Sequence, residues 1–231
     1  RYDLQTDRAV TISSVTKVIP DISIRLGGLQ TRFQDIVRGK STSGLEIPNA
    51  VITTVGFKEV FRSLPSDAKN KLLIPFGKDI SGDIVSANVE DFPHLLVAGS
   101  TGSGKSIFVH SFIMTLIMRN TPEELKLMII DPKRVEMARY KELPHMLCPI
   151  ITDNSKAKVA LDKLVNEMEH RYDLFEQTSS SKIGQYNEYA EEHGLEKMSS
   201  IIVIIDEYAD LVDSVKEIAS PVVRLAQKSR A

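Results

Sequence analysis

One stretch of the chain has residue types and spacing that suit phosphate binding. From His94 to Ile107 an apolar run leads into Gly-x-x-x-x-Gly-Lys-Ser and then into a helical pattern. Glycines let consecutive N–H groups turn inward around phosphate oxygens, the lysine reaches the β- and γ-phosphates, and the serine hydroxyl can bind Mg²⁺. The stretch therefore predicts a P-loop. The residues predicted to contact nucleotide are Gly99, Ser100, Thr101, Gly102, Ser103, Gly104, Lys105, Ser106 and Ile107.

A second group of candidate residues follows another apolar run. Ile201–Ile205 is followed directly by Asp206 and Glu207. Alone, this pattern is equally typical of a strand that ends in a polar loop or helix cap. Beside a P-loop it resembles a Walker B strand, in which Asp206 holds Mg²⁺ with Ser106 and Glu207 polarises the water that attacks the γ-phosphate. We therefore predict Lys105 and Glu207 as catalytic residues.

Asp131-Pro-Lys-Arg134 also follows an apolar run, so it is expected at the same edge of the sheet. Asp131 could equally be an N-cap, with Pro132 as the first residue of a helix. The two interpretations are compatible, and the residues alone do not decide between them.

Two arginines near the end of the chain, Arg224 and Arg230, lie in a predicted helix. They could form a solvated face, with Lys228 at the carboxyl end of the helix. They could also include an arginine finger that reaches the γ-phosphate held by a neighbouring subunit. From the sequence alone the solvated face is the favoured interpretation.

Composition excludes few function classes. The 231 residues carry 29 basic and 31 acidic side chains, a net charge of −2. The chain therefore lacks the net positive charge that is typical of nucleic-acid-binding proteins. Basic residues confined to a few pore loops would not alter this sum, so DNA binding is not excluded. The single cysteine, Cys148, excludes an intrachain disulfide and is expected to be a small core residue. His94 and His145 have no neighbours at metal-ligand spacing, so packing or loop roles are expected.

The second part of the chain alternates between strand and helix patterns. Strands are predicted at 72–76, 94–98, 125–130 and 201–205, and helices at 104–119, 154–175 and 220–229, the last with Ser220 as N-cap. This alternation predicts an α/β fold with a mostly parallel sheet that binds its ligand at the carboxyl ends of the strands.

The first part of the chain has a different texture. One or two strands are predicted at 10–19, a helix at 22–37, a short strand at 45–49 and a helix at 55–64. We expect a smaller α/β domain at 1–71 and an ATPase domain at 72–231.

Several motifs together resemble the motor of the FtsK/SpoIIIE family of bacterial DNA translocases, and the resemblance covers essentially the whole chain. The most specific is Asp131-Pro-Lys-Arg-Val-Glu136, because a P-loop alone occurs in very many proteins. The other matching segments are 93–106, 143–153, 167–175, 186–187, 206–211 and 224–231. One departure is Lys182, whose basic charge is displaced relative to the family pattern.

The resemblance implies a RecA-like P-loop NTPase core, here truncated before its last strand and sensor segment. It implies a hexameric ring that pumps double-stranded DNA by hydrolysing ATP with Mg²⁺, in chromosome segregation at cell division or sporulation. It also implies a motor on the cytoplasmic side of the membrane at the septum, attached through segments absent from this chain. Within the ring, Arg230 occupies the position expected for the trans-acting arginine.

Three alternatives remain open at this stage. A protein-export ATPase of the type VII secretion kind and a conjugative DNA-transfer ATPase share this core. A nucleotide-binding regulatory domain without turnover is the third, and Glu207 argues against it because that carboxylate is suited to activate water.

Overall fold

A computed structural model describes residues 1–6, 10–37, 39–51, 53–66, 70–100 and 102–229. The chain folds into two compact units, the first formed by 1–60 and 77–85 and the second by 61–76 and 86–231. The strands are β1 (Tyr2–Leu4), β2 (Arg32–Gln34), β3 (Ser43–Glu46), β4 (Leu73–Lys78), β5 (Ile84–Asn88), β6 (Leu125–Ile130) and β7 (Ser200–Ile205). The α-helices are α1 (Ile12–Arg25), α2 (Phe57–Arg62), α3 (Lys105–Arg119), α4 (Asn154–Thr178), α5 (Ile183–His193), α6 (Tyr208–Ser214) and α7 (Ala219–Lys228).

The first unit contains a three-stranded antiparallel sheet in the order β1-β3-β2. Its central strand β3 is buried from Ser43 to Leu45 and includes part of the strand predicted at 45–49. The predicted helix at 55–64 is present as the shorter α2.

The strands predicted at 10–19 are wrong, because this segment forms the first part of α1. Thr11 caps the helix by accepting a hydrogen bond from the Ser14 N–H. The partly buried residues Val15, Ile19 and Ile22 follow at spacings of four and three, which is a helical stripe. The β-branched residues suggested a strand, but capping and this stripe outweigh their weak local preference. The helix predicted at 22–37 is correspondingly wrong, since α1 ends at Arg25 and β2 follows.

The second unit is built on the parallel pair β6 and β7, which are in register from Leu125↔Ser200 to Ile130↔Ile205. Both strands and their parallel pairing confirm the prediction. The segment 145–151 lies along the other edge of β6, where the Leu127 N–H donates to the His145 carbonyl at 2.8 Å and the Asp131 N–H to the Ile151 carbonyl at 2.9 Å. The carboxyl ends of these three chain segments therefore meet at one edge.

Alternate residues of β6 face two different hydrophobic clusters. Leu127 and Ile129 pack with Ile113 and Leu116 of α3. On the opposite face, Met128 and Ile130 pack against residues of α4, α6 and the turn before α7. These residues are Ala157, Leu161, Leu164, Leu211 and Ile218. Because side chains alternate across a strand, a continuous apolar run is what a strand covered on both faces requires. The predicted helices at 104–119 and 154–175 are confirmed as α3 and α4.

Two predicted strands do not join the parallel sheet. Residues 94–98 form no strand, and Leu96 is 83% exposed. An apolar run becomes a strand only where neighbouring backbone bonds to it, and no described segment makes ladder bonds to this one. The strand predicted at 72–76 does form, as β4, but it pairs with β5 in a separate two-stranded sheet.

The start of the last predicted helix is also wrong in detail. A 3₁₀ turn at Lys216–Ile218 runs directly into α7, so Ile218 rather than Ser220 is the N-cap. Pro221 lies in the first turn and is buried, where its missing N–H has no helical partner to lose. Among the described residues, none of the helices is both long and apolar enough to span a bilayer.

Replacing Leu127 by Ala should lower the free energy of unfolding by about 2–5 kcal/mol, because it removes a fully buried side chain from the centre of the sheet. Urea unfolding followed by circular dichroism measures the change. Leu195→Ala is the matched control, since that side chain is 50% exposed and should cost clearly less. Equal losses for both variants would contradict the assigned core.

Candidate nucleotide-binding site

The P-loop enters α3 through two glycines with left-handed backbone angles. Gly102 has φ 82° and Gly104, the N-cap of α3, has φ 96°. Residues with a Cβ rarely adopt these angles, so glycine is required here. Within the described part of the chain no side chain caps the first turn of α3, and its N–H groups, together with the positive end of the helix dipole, suit an anion. Thr101, predicted to contact nucleotide, lies outside the described residues.

Gly99 lies directly beneath the Ser103 side chain. The Ser103 N–H donates to the Ser100 carbonyl at 3.0 Å, which brings the Ser103 side chain back over Gly99. A Cβ on Gly99 would clash with Ser103 Oγ unless that hydroxyl rotated away. The loop therefore folds into a compact turn ahead of Lys105. Ser106 follows in the first turn of α3, and Ile107 is exposed beside it.

The two carboxylates that follow β7, Asp206 and Glu207, lie beside Lys105. The Lys105 ammonium is 3.0 Å from Glu207 Oε1 and 3.7 Å from Asp206 Oδ1. Asp206 continues the ladder of β7, since its N–H donates to the Ile130 carbonyl at 2.9 Å. The sheet thus brings together residues that are far apart in the chain.

Glu207 has a left-handed backbone, with φ 52°. This conformation is uncommon for a residue with a long side chain and costs of order 1 kcal/mol or more. It lies between β7 and α6 and serves as the N-cap of α6. Backbone strain of this kind is typical of sites where a side chain must be presented in one direction.

The charges of the cluster shift the pKa values of its members in opposite directions. The hydrogen bond from Lys105 lowers the pKa of Glu207, and the same bond raises the pKa of Lys105. Burial raises the pKa of Asp206, whose side chain is 12% exposed, and repulsion from Asp131 and Glu207 adds to this against the attraction of Lys105. Glu207 is therefore held charged, while burial disfavours the ionised form of Asp206 more than Lys105 favours it.

Asp131 lies at the same edge, but it is not the N-cap of a helix starting at Pro132. Its buried carboxylate accepts hydrogen bonds from the N–H groups of Arg134 at 2.9 Å and Met137 at 3.1 Å, which folds 131–137 into a loop. The loop carries Lys133 to the site, where its ammonium is 3.0 Å from Asp210 Oδ2 and 3.8 Å from Glu207 Oε2. In the sequence, Lys133 and Asp210 stood out only as parts of longer motifs; the position of Lys133 shortly after a buried strand was the available signal.

The remaining candidates that the structure describes make structural contacts. Arg224 and Lys228 both pair with Glu169 of α4, at 3.2 and 3.0 Å, as a solvated helix face would. Arg230 lies outside the described residues. His145 is buried with Nε2 2.9 Å from the Asn120 carbonyl oxygen, a packing role. Cys148 is half-buried, and burial raises the pKa of its thiol, which disfavours a nucleophilic role.

A glycine-rich loop that opens a helix, with paired carboxylates held beside its lysine by a parallel strand, defines a nucleotide-binding α/β protein of the P-loop class. The sequence profile of the FtsK/SpoIIIE family matches residues 57–231. The chain belongs to the FtsK/SpoIIIE family.

Curated relatives align over the whole chain. It is 41% identical to the DNA translocase SpoIIIE of Bacillus subtilis and 40% identical to the DNA translocase FtsK of Bacillus cereus, in each case over 239 residues that include 100% of this chain. The chain spans 30% of the length of each of these relatives.

Solved structures share the fold at lower identity. The pCW3 conjugation coupling protein TcpA with ATPgS gives a TM-score of 0.56 at 22% identity, over 100% of this chain and 67% of that one. The cytoplasmic domain of EssC gives a TM-score of 0.61 at 24% identity, over 68% of this chain and 31% of that one. The cytoplasmic domain of the Thermomonospora curvata type VII secretion ATPase EccC gives a TM-score of 0.59 at 23% identity, over 77% of this chain and 22% of that one.

Replacing Asp206 by Asn should raise the melting temperature of the nucleotide-free protein at neutral pH. Burial raises the pKa of Asp206 in the folded state, so above that pKa the folded protein carries an unfavourable charge. The penalty disappears as the pH falls through the raised pKa towards the ordinary one. Scanning calorimetry should therefore show a gain that is largest at neutral pH and shrinks in acid. Asp162→Asn, on an exposed part of α4, should give no such gain, and a lower melting temperature for D206N at neutral pH would argue against the assigned burial penalty.

Proposed function

We propose that this chain is part of an ATP-driven motor that translocates double-stranded DNA in bacterial chromosome segregation, at cell division or sporulation. The observation that carries the proposal is the cluster of Lys105, Asp206 and Glu207 at the edge of the parallel sheet, next to a P-loop. The relatives at 40% and 41% identity, both named as DNA translocases, support the choice of DNA as the substrate.

In this proposal the residues of the site divide the work of hydrolysis. The loop from Gly99 to Ser106 and the first turn of α3 bind the phosphates of ATP through N–H groups, and Ile107 contacts the nucleoside. Lys105 stabilises the negative charge that develops on the transferred phosphoryl group. Glu207 remains ionised, because the hydrogen bond from Lys105 lowers its pKa, and so it can accept a hydrogen bond from the attacking water.

The same site fits Mg²⁺ through Ser106 and Asp206. Both side chains offer oxygen ligands, which this ion prefers, and the unfavourable burial of the Asp206 charge suits a carboxylate that receives a cation. The described residues contain no group of three His, Cys, Asp or Glu side chains that could hold a metal by themselves. Mg²⁺ commonly takes most of its ligands from phosphate and water, with one or two carboxylates from the protein. When bound, Mg²⁺ neutralises phosphate charge.

We further propose that the motor is a homo-hexamer with a RecA-like core, preceded by a smaller domain. Arg230 then serves as the arginine finger for the nucleotide of the neighbouring subunit. The contacts of Glu169 with Arg224 and Lys228, and of the Tyr172 hydroxyl with the Lys228 carbonyl, hold the end of α7 shortly before Arg230. Attachment to the cytoplasmic side of the membrane at the septum is proposed through segments outside this sequence.

Protein export and conjugative transfer are less well supported. Their representatives, EccC and TcpA, share the fold at 23% and 22% identity, whereas the DNA translocases share 40% and 41% over the whole chain. Structural similarity at such low sequence identity supports a shared fold but does not indicate a shared substrate.

Replacing Glu207 by Gln should lower the rate of ATP hydrolysis by about 10²–10⁴-fold, because it removes the carboxylate that positions and polarises water. ATP binding should persist, because the P-loop is unchanged. Phosphate release and binding of a fluorescent ATP analogue measure the two effects in the full-length protein. Glu191→Gln, which removes an exposed carboxylate on α5 paired with Lys197, is the control. Unchanged turnover in E207Q would refute the assigned role.

Duplex DNA should stimulate ATP hydrolysis by the full-length protein, and the Lys105→Ala variant should lose both basal and stimulated activity. The stimulation follows from a motor whose turnover is coupled to movement along DNA. Steady-state phosphate release with and without linear duplex DNA is the measurement. A protein that hydrolyses ATP but is indifferent to duplex DNA would contradict the translocase and favour the export alternative.

A further inference from the structure

Glu207 is contacted by two lysines, and each lysine lies nearer a different carboxylate oxygen. Lys105 is 3.0 Å from Oε1, and Lys133 is 3.8 Å from Oε2. Lys105 also has a second task in the proposed reaction, because the P-loop lysine must reach the phosphates. A cation that stays with Glu207 while Lys105 binds phosphate therefore has to come from another position.

Lys133 is held in place by a partner of its own. Its ammonium lies 3.0 Å from Asp210 Oδ2. Asp210 is in the first turn of α6, one helical turn after Glu207. This interaction raises the pKa of Lys133, so the side chain stays charged. Asp210 thus fixes the ammonium within reach of Glu207 without depending on nucleotide.

The backbone that carries Lys133 is anchored at several points. The buried Asp131 carboxylate holds the loop through the N–H groups of Arg134 and Met137. Farther along, His110 of α3 contacts both the Tyr140 hydroxyl, at 2.8 Å from Nδ1, and Glu136, at 3.5 Å from Nε2. The loop is therefore tied to the sheet and to the helix that follows the P-loop, so Lys133 extends from a well-supported segment.

We propose that Lys133, held by Asp210, is a positioning residue that orients the Glu207 carboxylate for the attacking water when Lys105 is engaged with phosphate. This inference rests on the proposed ATP hydrolysis. Lys133 acts through Glu207 and is not assigned contact with nucleotide. A misplacement of about 1 Å at a reacting group can cost about 10²-fold in rate, so a residue that sets the direction of Glu207 can matter as much as a direct contact.

A purely structural role is the competing explanation, and the geometry limits it. The side chains of Lys133 and Asp210 are 52% and 57% exposed, and ion pairs this exposed contribute little to stability. Loss of the pair should therefore leave the fold intact. A large effect on turnover without an effect on the melting temperature would separate positioning from stability.

The test is steady-state hydrolysis of MgATP by the full-length protein carrying Lys133→Met. We expect kcat to fall by about 10- to 100-fold with KM for ATP and the melting temperature unchanged. Lys133→Arg, which keeps the charge, should recover most of the rate. Lys158→Met removes a lysine from a comparable surface ion pair with Asp162 on α4 and should have wild-type kinetics.

Asp210→Asn provides a second variant that leaves Lys133 itself intact. It should lower kcat by less than Lys133→Met, and the double variant should be no slower than Lys133→Met, because both changes act on the same pair. Wild-type kcat in Lys133→Met, or a loss that appears only as a raised KM or a lower melting temperature, would overturn the inference. If the wild-type protein itself fails to hydrolyse MgATP, the proposed function fails as well, so the two failures are distinguishable.

Discussion

The parallel pairing of β6 with β7 is the constraint on which the site depends. Their register runs without a break to Ile130↔Ile205, so the residues that follow each strand leave the sheet at the same edge. Asp131 and Asp206 are those residues, and the Asp206 N–H still bonds to the Ile130 carbonyl. α3 covers one face of β6 and α4 covers the other, which keeps this edge rigid and places Lys105 beside it.

The site concentrates unfavourable features that the rest of the second unit supports. Glu207 has a left-handed backbone, Asp206 carries a disfavoured buried charge, and Asp131 is buried with its oxygens committed to loop N–H groups. Such features persist only where the surrounding structure over-determines them, as two hydrophobic clusters do here. The packing of the second unit thus maintains a preorganised arrangement of charges, which is how a site can stabilise a transition state without reorganising at the moment of reaction.

Strong periodic patterns were predicted well, whereas weak local signals and runs that lack a pairing partner were not. The stripe of α4 and the apolar runs of β6 and β7 predicted their elements, because both faces of the sheet are covered and the pattern is strong. The run at 94–98 predicted a strand that does not form, since pairing requires a neighbour that no local pattern specifies. At α1, β-branched composition pointed to a strand although Thr11 caps a helix, a competition between two weak local signals.

By itself, the sequence determined the chemical inventory: a glycine loop that only phosphate binding explains well, a lysine and a serine at its end, and two carboxylates after an apolar strand. These are set by residue type and short-range spacing, which folding does not alter. Only the tertiary structure decided how the charges are shared. That Asp131 folds a loop instead of capping a helix depends on its hydrogen bonds from the N–H groups of Arg134 and Met137. That Lys105 contacts both carboxylates, and that Lys133 reaches Glu207 and Asp210, depends on contacts between distant segments. Packing of the sheet creates those contacts, and no local pattern encodes them.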